Sequence, residues 1–454
     1  MKRDFNLKRL STCLWILPII LVINFSSCKK ERSEAHEVEK VHRNPNELLQ
    51  YFKEVLGSGS RSFKAILNPR SGQTYSLYLS LTTDQKVYSL IDLSVETART
   101  IKEGRFTLIE NATHPYLNFS TGTYLDLITH KEGFRTVGAD TSYAFQFQQG
   151  DTIFMRGNRN GDELLLIDLK AEEVPPYEHA MFGNGYIYLY NFFTKSRFFS
   201  FTSDEGIPVQ FIVNQGGRMM RVYYAKDGKL HHSSADFAYG MDRIRFKNPL
   251  QIGNQMISEL LVDSETDEVY IPKKDNQRVK FLGAKFPVIP LHYLLGEEVT
   301  SVISLPSPKN IVELLGWSTS FSETYDLCTK NLLNSSLKGN LLVLAFEMDM
   351  RRNLMFLSFY MAINNNYIKA PYPMSFTKSA DGEFKFTAYP FNDNDQAQVL
   401  AKTMQPLFQP LLDIVLNNKY KIDYYDNKGA VIGQLKSTSN PDLFFTGEFR
   451  SYFN

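Results

Sequence analysis

Runs of Phe, Tyr, Leu, Ile and Val alternating with polar residues recur along most of this chain. A period of two fits an extended strand with one face covered. In "TYSLYLSLTT", Tyr75, Leu77, Leu79 and Leu81 point one way, with Ser76, Tyr78 and Ser80 opposite. "KVYSLIDL", "GRFTLIEN", "PYLNFSTG" and "TSYAFQFQ" continue the pattern with turn residues between them. The hairpin "TIFMRGNRNGDELLLIDL" carries Asn160-Gly161, a pair suited to a two-residue type I′ turn. Strands about ten residues apart predict a sandwich or an up-and-down barrel. Aromatics, 13% of the chain and mostly Phe and Tyr, favour the same state.

The grammar repeats in "GYIYLYNFF", "SRFFSFTSD", "IPVQFIVN", "RMMRVYYA", "DRIRFKNPLQI", "ISELLVD" and "DEVYI", all read as strands. A less regular segment, 272–338, holds Trp317 and Cys328, after which strands resume with "NLLVLAFEMD" and "LMFLSFYMAI". Two stretches have helical spacing instead. "NPNELLQYFKEVLG" begins at Asn44 as a cap, with Pro45 in the first turn and Gly57 as the stop. "FNDNDQAQVLAKTMQPLFQPLLDIVLN" is a long helical pattern in which Pro406 and Pro410 are expected to kink or break the helix. The expectation is therefore a mainly β chain of two antiparallel units, each a lipocalin-like barrel or a sandwich. A short N-terminal helix and one long C-terminal helical segment accompany them. The boundaries read as an N-terminal β domain at 44–175 and a C-terminal β-rich domain at 176–454.

The first residues carry an address. Lys2, Arg3, Lys8 and Arg9 precede a largely apolar run from Leu10 to Phe25, the pattern of a secretory signal peptide over 1–27. That run is shorter than the roughly 20 apolar residues of a membrane-spanning helix. Phe25-Ser26-Ser27-Cys28 resembles a bacterial lipobox, in which the Cys28 thiol receives a diacylglyceryl group and becomes the acylated N-terminus. Residues 28–43, with "KKERSEAHEVEK", are too charged to bury and read as a flexible tether. The expected location is the outer membrane, lipid-anchored and exposed at the cell surface.

Composition narrows the partners. Fifty Lys and Arg against 49 Asp and Glu leave a net charge of +1, so there is no electrostatic case for nucleic acid. Of three cysteines, Cys13 leaves with the signal and Cys28 is acylated. Cys328 in "ETYDLCTKNLL" then stands alone and reads as a buried apolar residue. No HExxH, GxSxG or phosphate loop occurs, and no catalytic residue, metal or cofactor is assigned. His231 and His232 are adjacent, but neighbours on a strand face opposite sides. Asp393 and Asp395 in "FNDNDQ" read as helix capping rather than a calcium loop. The carboxylate pairs Asp263 with Glu265 and Asp267 with Glu268 lie in apparent turns. Tyr75, Tyr78, Tyr116, Tyr124 and Tyr143 could stack on a sugar or peptide, or form core and cross-strand pairs.

"SFKAIL", "YSLYLSL", "GRFTLIENATHPYLNFSTGTYLDLI" and "TSYAFQFQQGDTIFMRGNRNG" together resemble a domain family of unknown function among Bacteroidota-type lipoproteins. Its members are often encoded beside SusC/SusD-like nutrient-uptake systems. "GSGSRSF" stands where the family has a Gly-Trp pair, and "TDQK" replaces its acidic-Gly turn. The resemblance implies no catalytic residues. It implies a non-catalytic accessory role, binding a glycan or peptide nutrient or a partner protein in an uptake system. The alternatives from other classes are a secreted hydrolase on a β scaffold and a structural or adhesive lipoprotein. Cys28→Ala is expected to abolish lipid labelling in cells; retained labelling would overturn the lipobox assignment.

Overall fold

The computed structural model describes residues 45–56, 59–70, 72–109, 114–120, 122–129, 139–273, 277–295, 299–304 and 316–451. The signal peptide, Cys28, the tether and the expected caps Asn44 and Gly57 lie outside the described residues.

The first sheet comprises β1 (Arg61–Asn68), β2 (Tyr75–Leu81), β3 (Lys86–Ile91), β4 (Lys102–Ile109), β5 (Tyr116–Phe119), β6 (Ser142–Gln149), β7 (Thr152–Gly157) and β8 (Glu163–Asp168). These run up and down in sequence order, and β1 pairs with both β2 and β8, so the sheet closes into a barrel. Inward positions such as Phe63, Leu77, Leu79, Tyr143 and Phe145 fill its centre. Helix α1 (Pro45–Leu56) adds Phe52, whose ring stacks on Phe145 at 4.7 Å. Helix α2 (Val95–Arg99) begins in a capping box between Ser94 and Thr97, and α3 (Tyr124–Thr129) adds Leu125 and Ile128 to the core.

The second sheet stays open. Its strands are β9 (Phe198–Thr202), β10 (Pro208–Asn214), β11 (Met219–Lys226), β12 (Lys229–Tyr239), β13 (Arg243–Ile252), β14 (Gln255–Asp263), β15 (Glu268–Pro272), β16 (Arg278–Lys280) and β17 (Leu282–Ala284). The antiparallel order is β16-β15-β14-β13-β12-β11-β10-β9-β17. A short helix, α4 (Pro175–Glu178), and then α5 (Met181–Thr194) lead into it. The third sheet is another closed barrel: β18 (Val299–Ser304), β19 (Asn340–Asp349), β20 (Leu354–Ile363), β21 (Asn366–Lys378), β22 (Glu383–Ala388), β23 (Lys419–Asn427), β24 (Ala430–Ser437) and β25 (Phe444–Ser451). Three helices accompany it, α6 (Leu291–Leu294), α7 (Thr319–Asn334) and α8 (Gln396–Asn417). The mainly β, barrel-forming expectation holds, and residues 176–454 contain both the open sheet and the second barrel.

Four local readings change. "GYIYLYNFF" is helix α5, not a strand: Phe182, Tyr186, Leu189 and Phe193 are buried at helical spacing against the central sheet, inside a run too uniformly apolar to show its period. The segment read as irregular contains α7, capped by Ser318, with Phe321, Tyr325, Cys328 and Leu332 as a narrow buried stripe. Helix α8 runs unbroken through Pro406 and Pro410. Each internal proline costs about 3 kcal/mol, and burial of Met404, Phe408, Leu411, Leu412 and Val415 against the barrel offsets it. The β7–β8 connection is longer than the expected two-residue turn, and Gly161 takes φ +75° while Asn160 does not enter the left-handed region. Asp140 organises that loop, its carboxylate accepting from the backbone amides of Arg159 and Asn160. True two-residue turns with both φ values positive occur at Asp227-Gly228, Asn364-Asn365 and Lys428-Gly429.

The first barrel and the central sheet are joined by a buried ion pair. Asp92, just after β3, is fully buried and accepts hydrogen bonds from the amides of Ser76 and Tyr239, 3.1 and 2.8 Å away. Arg218, in the β10–β11 turn, donates to the Asp92 carboxylate at 2.7 Å and to the carbonyls of Asp92 and Thr74. The rings of Tyr75 and Tyr239 lie 4.8 and 5.5 Å from its guanidinium carbon. Arg218→Met is expected to lower the unfolding free energy by about 3–5 kcal/mol, because it strands a buried carboxylate. Urea titration checks this, and a loss under about 1 kcal/mol would contradict a structural role for the pair.

Candidate functional site

Beside that ion pair, the outer surface of β1 and β2 faces the β12–β13 turn across a cleft of about 300 Å³. The linker from β8 closes one side. Its Tyr177 stacks on Tyr78 of β2 with centroids 4.8 Å apart and planes 11° from parallel. Phe182, at the start of α5, lies 5.8 Å from Tyr177 and extends the same wall. The floor is apolar, with Ile66, Ile167, Leu169 and Met241.

The turn is held rigidly. The Gly240 amide donates to the Arg243 carbonyl at 2.6 Å. Helix α5 passes so close that a Cβ on Gly185 would sit 1.8 Å from the Met241 oxygen, so only glycine fits there. Arg243 grips the Asp242 carboxylate through Nε and Nη2 at 2.8 and 3.0 Å and reaches Glu259 at 3.1 Å. Hydrogen bonding to Asp242 is the main reason the Arg243 guanidinium is held even more firmly charged than usual. Burial raises the Asp242 carboxyl, but the bonds from Arg243 outweigh it and leave the group below its ordinary range. Lys64 faces Glu173 at 3.8 Å. Arg245, half-buried on β13, lines the same cleft.

The five tyrosines do not converge on a binding surface. Tyr75, Tyr78, Tyr124 and Tyr143 are buried and Tyr116 is half-buried. Tyr75 and Tyr143 point into a barrel narrow enough to be filled by its own side chains. Tyr124 donates to the Thr100 carbonyl at 2.8 Å, and Tyr143 to that of Asp140. Tyr116 sits opposite Ile109 and Ala144 in the sheet. Tyr78 alone adjoins the cleft, behind Tyr177. The arrangement supports the core and cross-strand alternative rather than a stacking platform. The cleft residues Arg245, Tyr177 and Phe182 escaped the sequence reading because they join elements far apart in the chain.

Other polar constellations are consumed structurally. Asp263 accepts from the amides of Glu265 and Thr266 and pairs with Arg278, while Glu268 pairs with Lys280. Asp395 caps α8 through the amides of Ala397 and Gln398, and Asp393 pairs with Lys402. His231 stacks on Tyr224 at 5.1 Å, and Cys328 is wholly buried, its thiol pushed up to about 11 by burial. Among the described residues no group of three or more His, Cys, Asp or Glu side chains is placed to hold a metal ion.

A domain of unknown function (DUF4302) covers residues 42–264. It takes in the first barrel and the central sheet through β14, and therefore both partners of the Asp92–Arg218 pair and both walls of the cleft. No curated protein matches the chain. Among solved structures it aligns with isotype 1 transferrin binding protein B from serogroup B Neisseria meningitidis at 8% identity, over 87% of this chain and 77% of that one, with a TM-score of 0.14. The β subunit of DNA polymerase III from Borrelia burgdorferi aligns at 10% identity over 90% and 97% of the two chains, TM-score 0.12. Kievitone hydratase from Nectria haematococca aligns at 8% identity over 87% and 90%, TM-score 0.12. Overlaps this weak carry nothing about function.

One network on the second barrel mimics a nucleophile site. Glu347 accepts from Ser358 at 2.6 Å, Tyr360 at 2.9 Å and Lys369 at 2.7 Å. A Ser–Lys mechanism needs a neutral lysine; burial disfavours the Lys369 charge, yet its bond to the carboxylate keeps the ammonium above its ordinary range. The cluster is a cross-strand clamp. Burial would raise Glu347, but Lys369, Ser358 and Tyr360 together hold it below its ordinary 4.5. A depressed folded value adds stability above about pH 4.5 that is lost as pH falls through the folded value. Glu347→Gln should therefore flatten that acid limb in urea midpoints measured against pH; an unchanged limb would show the clamp contributes nothing.

Proposed function

We propose that this chain is a lipid-anchored outer-membrane protein, exposed at the cell surface, that acts without catalysis. Its role is accessory: it binds a glycan or peptide nutrient, or a partner protein, within a SusC/SusD-like uptake system of Bacteroidota type. The observation that carries the reading is the cleft between the first barrel and the central sheet. Ligand sites favour concave, largely apolar recesses at junctions between bodies, with a few polar groups to orient what enters. The cleft has that make-up, and it lies wholly within the DUF4302 region. The signal-peptide pattern with Cys28 supports the location. One carboxylate of each flagged pair, Asp263 and Glu268, is tied into an ion pair, which supports a binding role over hydrolysis.

Thermal melting of the full-length protein against glycan and peptide panels tests this. A ligand at 100 times its dissociation constant should stabilise the fold by about 2.7 kcal/mol. Product formation from any glycan or peptide, abolished by one carboxylate substitution, would overturn the non-catalytic reading. A flat panel would overturn the nutrient-ligand form of it.

A further inference from the structure

The cleft presents one cation without a partner. On β13, Arg243, Arg245 and Lys247 share the face turned toward the first barrel, because residues two apart on a strand point the same way. Arg243 is saturated by Asp242 and Glu259, and Lys247 donates to the Pro69 carbonyl at 3.0 Å. Glu259 is directly opposite Arg245 in the sheet register, yet its carboxylate bonds Arg243 instead. Among the described residues the Arg245 side chain makes no hydrogen bond or ion pair, although it is half-buried and permanently charged. Glu172, the acid of the cleft left without a described partner, is solvent-exposed, so water satisfies it.

We propose that Arg245 is the counter-ion for a carboxylate whose apolar body lies against Ile66, Leu169, Tyr177 and Phe182. The proposal rests on the binding role above and names its ligand chemistry. A planar guanidinium holds one carboxylate through two parallel bonds. A phosphate, with its higher charge, would meet Glu172, Glu173 and Asp242 around a single free cation. The volume, about 300 Å³, lies at the small end of ligand pockets and suits one aromatic or branched aliphatic group with its acid. Such a group ends both a peptide with an apolar last residue and a free aryl or alkyl acid.

Isothermal titration of the full-length protein with Ala-Ala-Phe, its C-terminal amide, 3-phenylpropionate and 3-phenylpropanamide decides the matter. At least one acid is expected to bind tenfold or more tightly than its own amide, and Arg245→Gln should erase that preference. Tighter binding of the tripeptide identifies a peptide C-terminus as the source, and tighter binding of 3-phenylpropionate a free acid. Equal affinity for acid and amide, no binding of either acid, or a preference that survives Arg245→Gln would overturn the proposal. Should the variant not fold, the wild-type comparison of acid with amide still decides. A glycan that shifts the melt while neither acid binds defeats this assignment but leaves the accessory role standing; a flat glycan and peptide panel with no binding of either acid defeats both this assignment and the nutrient-ligand form of that role.

Discussion

A carboxylate with no exposure to water, Asp92, dictates how the front half of this molecule is assembled. Burial pushes its carboxyl up, opposed by Arg218 and by the amides of Tyr239 and Ser76. Two of those three partners belong to the central sheet, so the charge is satisfied only when barrel and sheet are docked. Arg218 holds φ +49° in the β10–β11 turn, a conformation a non-glycine residue keeps only where its surroundings demand it. A buried ion pair gives little net stability over an apolar replacement, but it penalises every misaligned docking heavily. Its contribution is registry: it fixes which strand faces which turn. The DUF4302 match, residues 42–264, spans both partners of the pair.

The junction between the central sheet and the second barrel is made differently. Phe198, Ile212 and Tyr223 of the sheet join the core of the second barrel together with Ile289, Leu291, Leu294 and Leu295. Among the described residues the polar contacts include Gln210 accepting from the Ile289 amide at 3.3 Å, Tyr424 donating to the Ile289 carbonyl at 2.9 Å, and an exposed pair between Lys285, just after β17, and Asp426. An apolar seam of this kind is non-directional and tolerates small shifts. The two junctions therefore divide the work, one setting an exact orientation through charge and the other adding buried area.

Period-two alternation made the strands legible, since Tyr75–Leu81 and Phe384–Phe386 each expose their inward face in the sequence alone. Closure was not legible. Pairing β1 with β8 joins residues about a hundred positions apart, and nothing local distinguishes a barrel from a sandwich. Helices α5 and α7 failed for opposite reasons, one apolar on too many sides and the other marked by a stripe only one residue per turn wide. The tyrosines were conspicuous because aromatic, yet most of them simply fill space. Arg245 was inconspicuous because "RIRF" reads as an ordinary half-buried strand, and the loss of its cross-strand partner to Arg243 is a three-dimensional fact.

Filling the first barrel with Phe63, Tyr75, Tyr143 and Phe145, together with Phe52 from α1, has a consequence for where a ligand can go. Entry to the barrel interior would require displacing close-packed aromatic side chains, each worth several kcal/mol of burial and packing. A site costs far less where two finished surfaces meet imperfectly, because the side chains lining it are already anchored by their own bodies. The cleft beside Tyr177 is such a place, and its walls keep their spacing only while the sheet remains docked on the barrel. Asp92 and Arg218 bound the freedom of that docking from a few residues away, at the β3 end and the β10–β11 turn. The interaction that fixes the assembly thus also sets the width of the cleft, and Arg245 lines that cleft without belonging to either core.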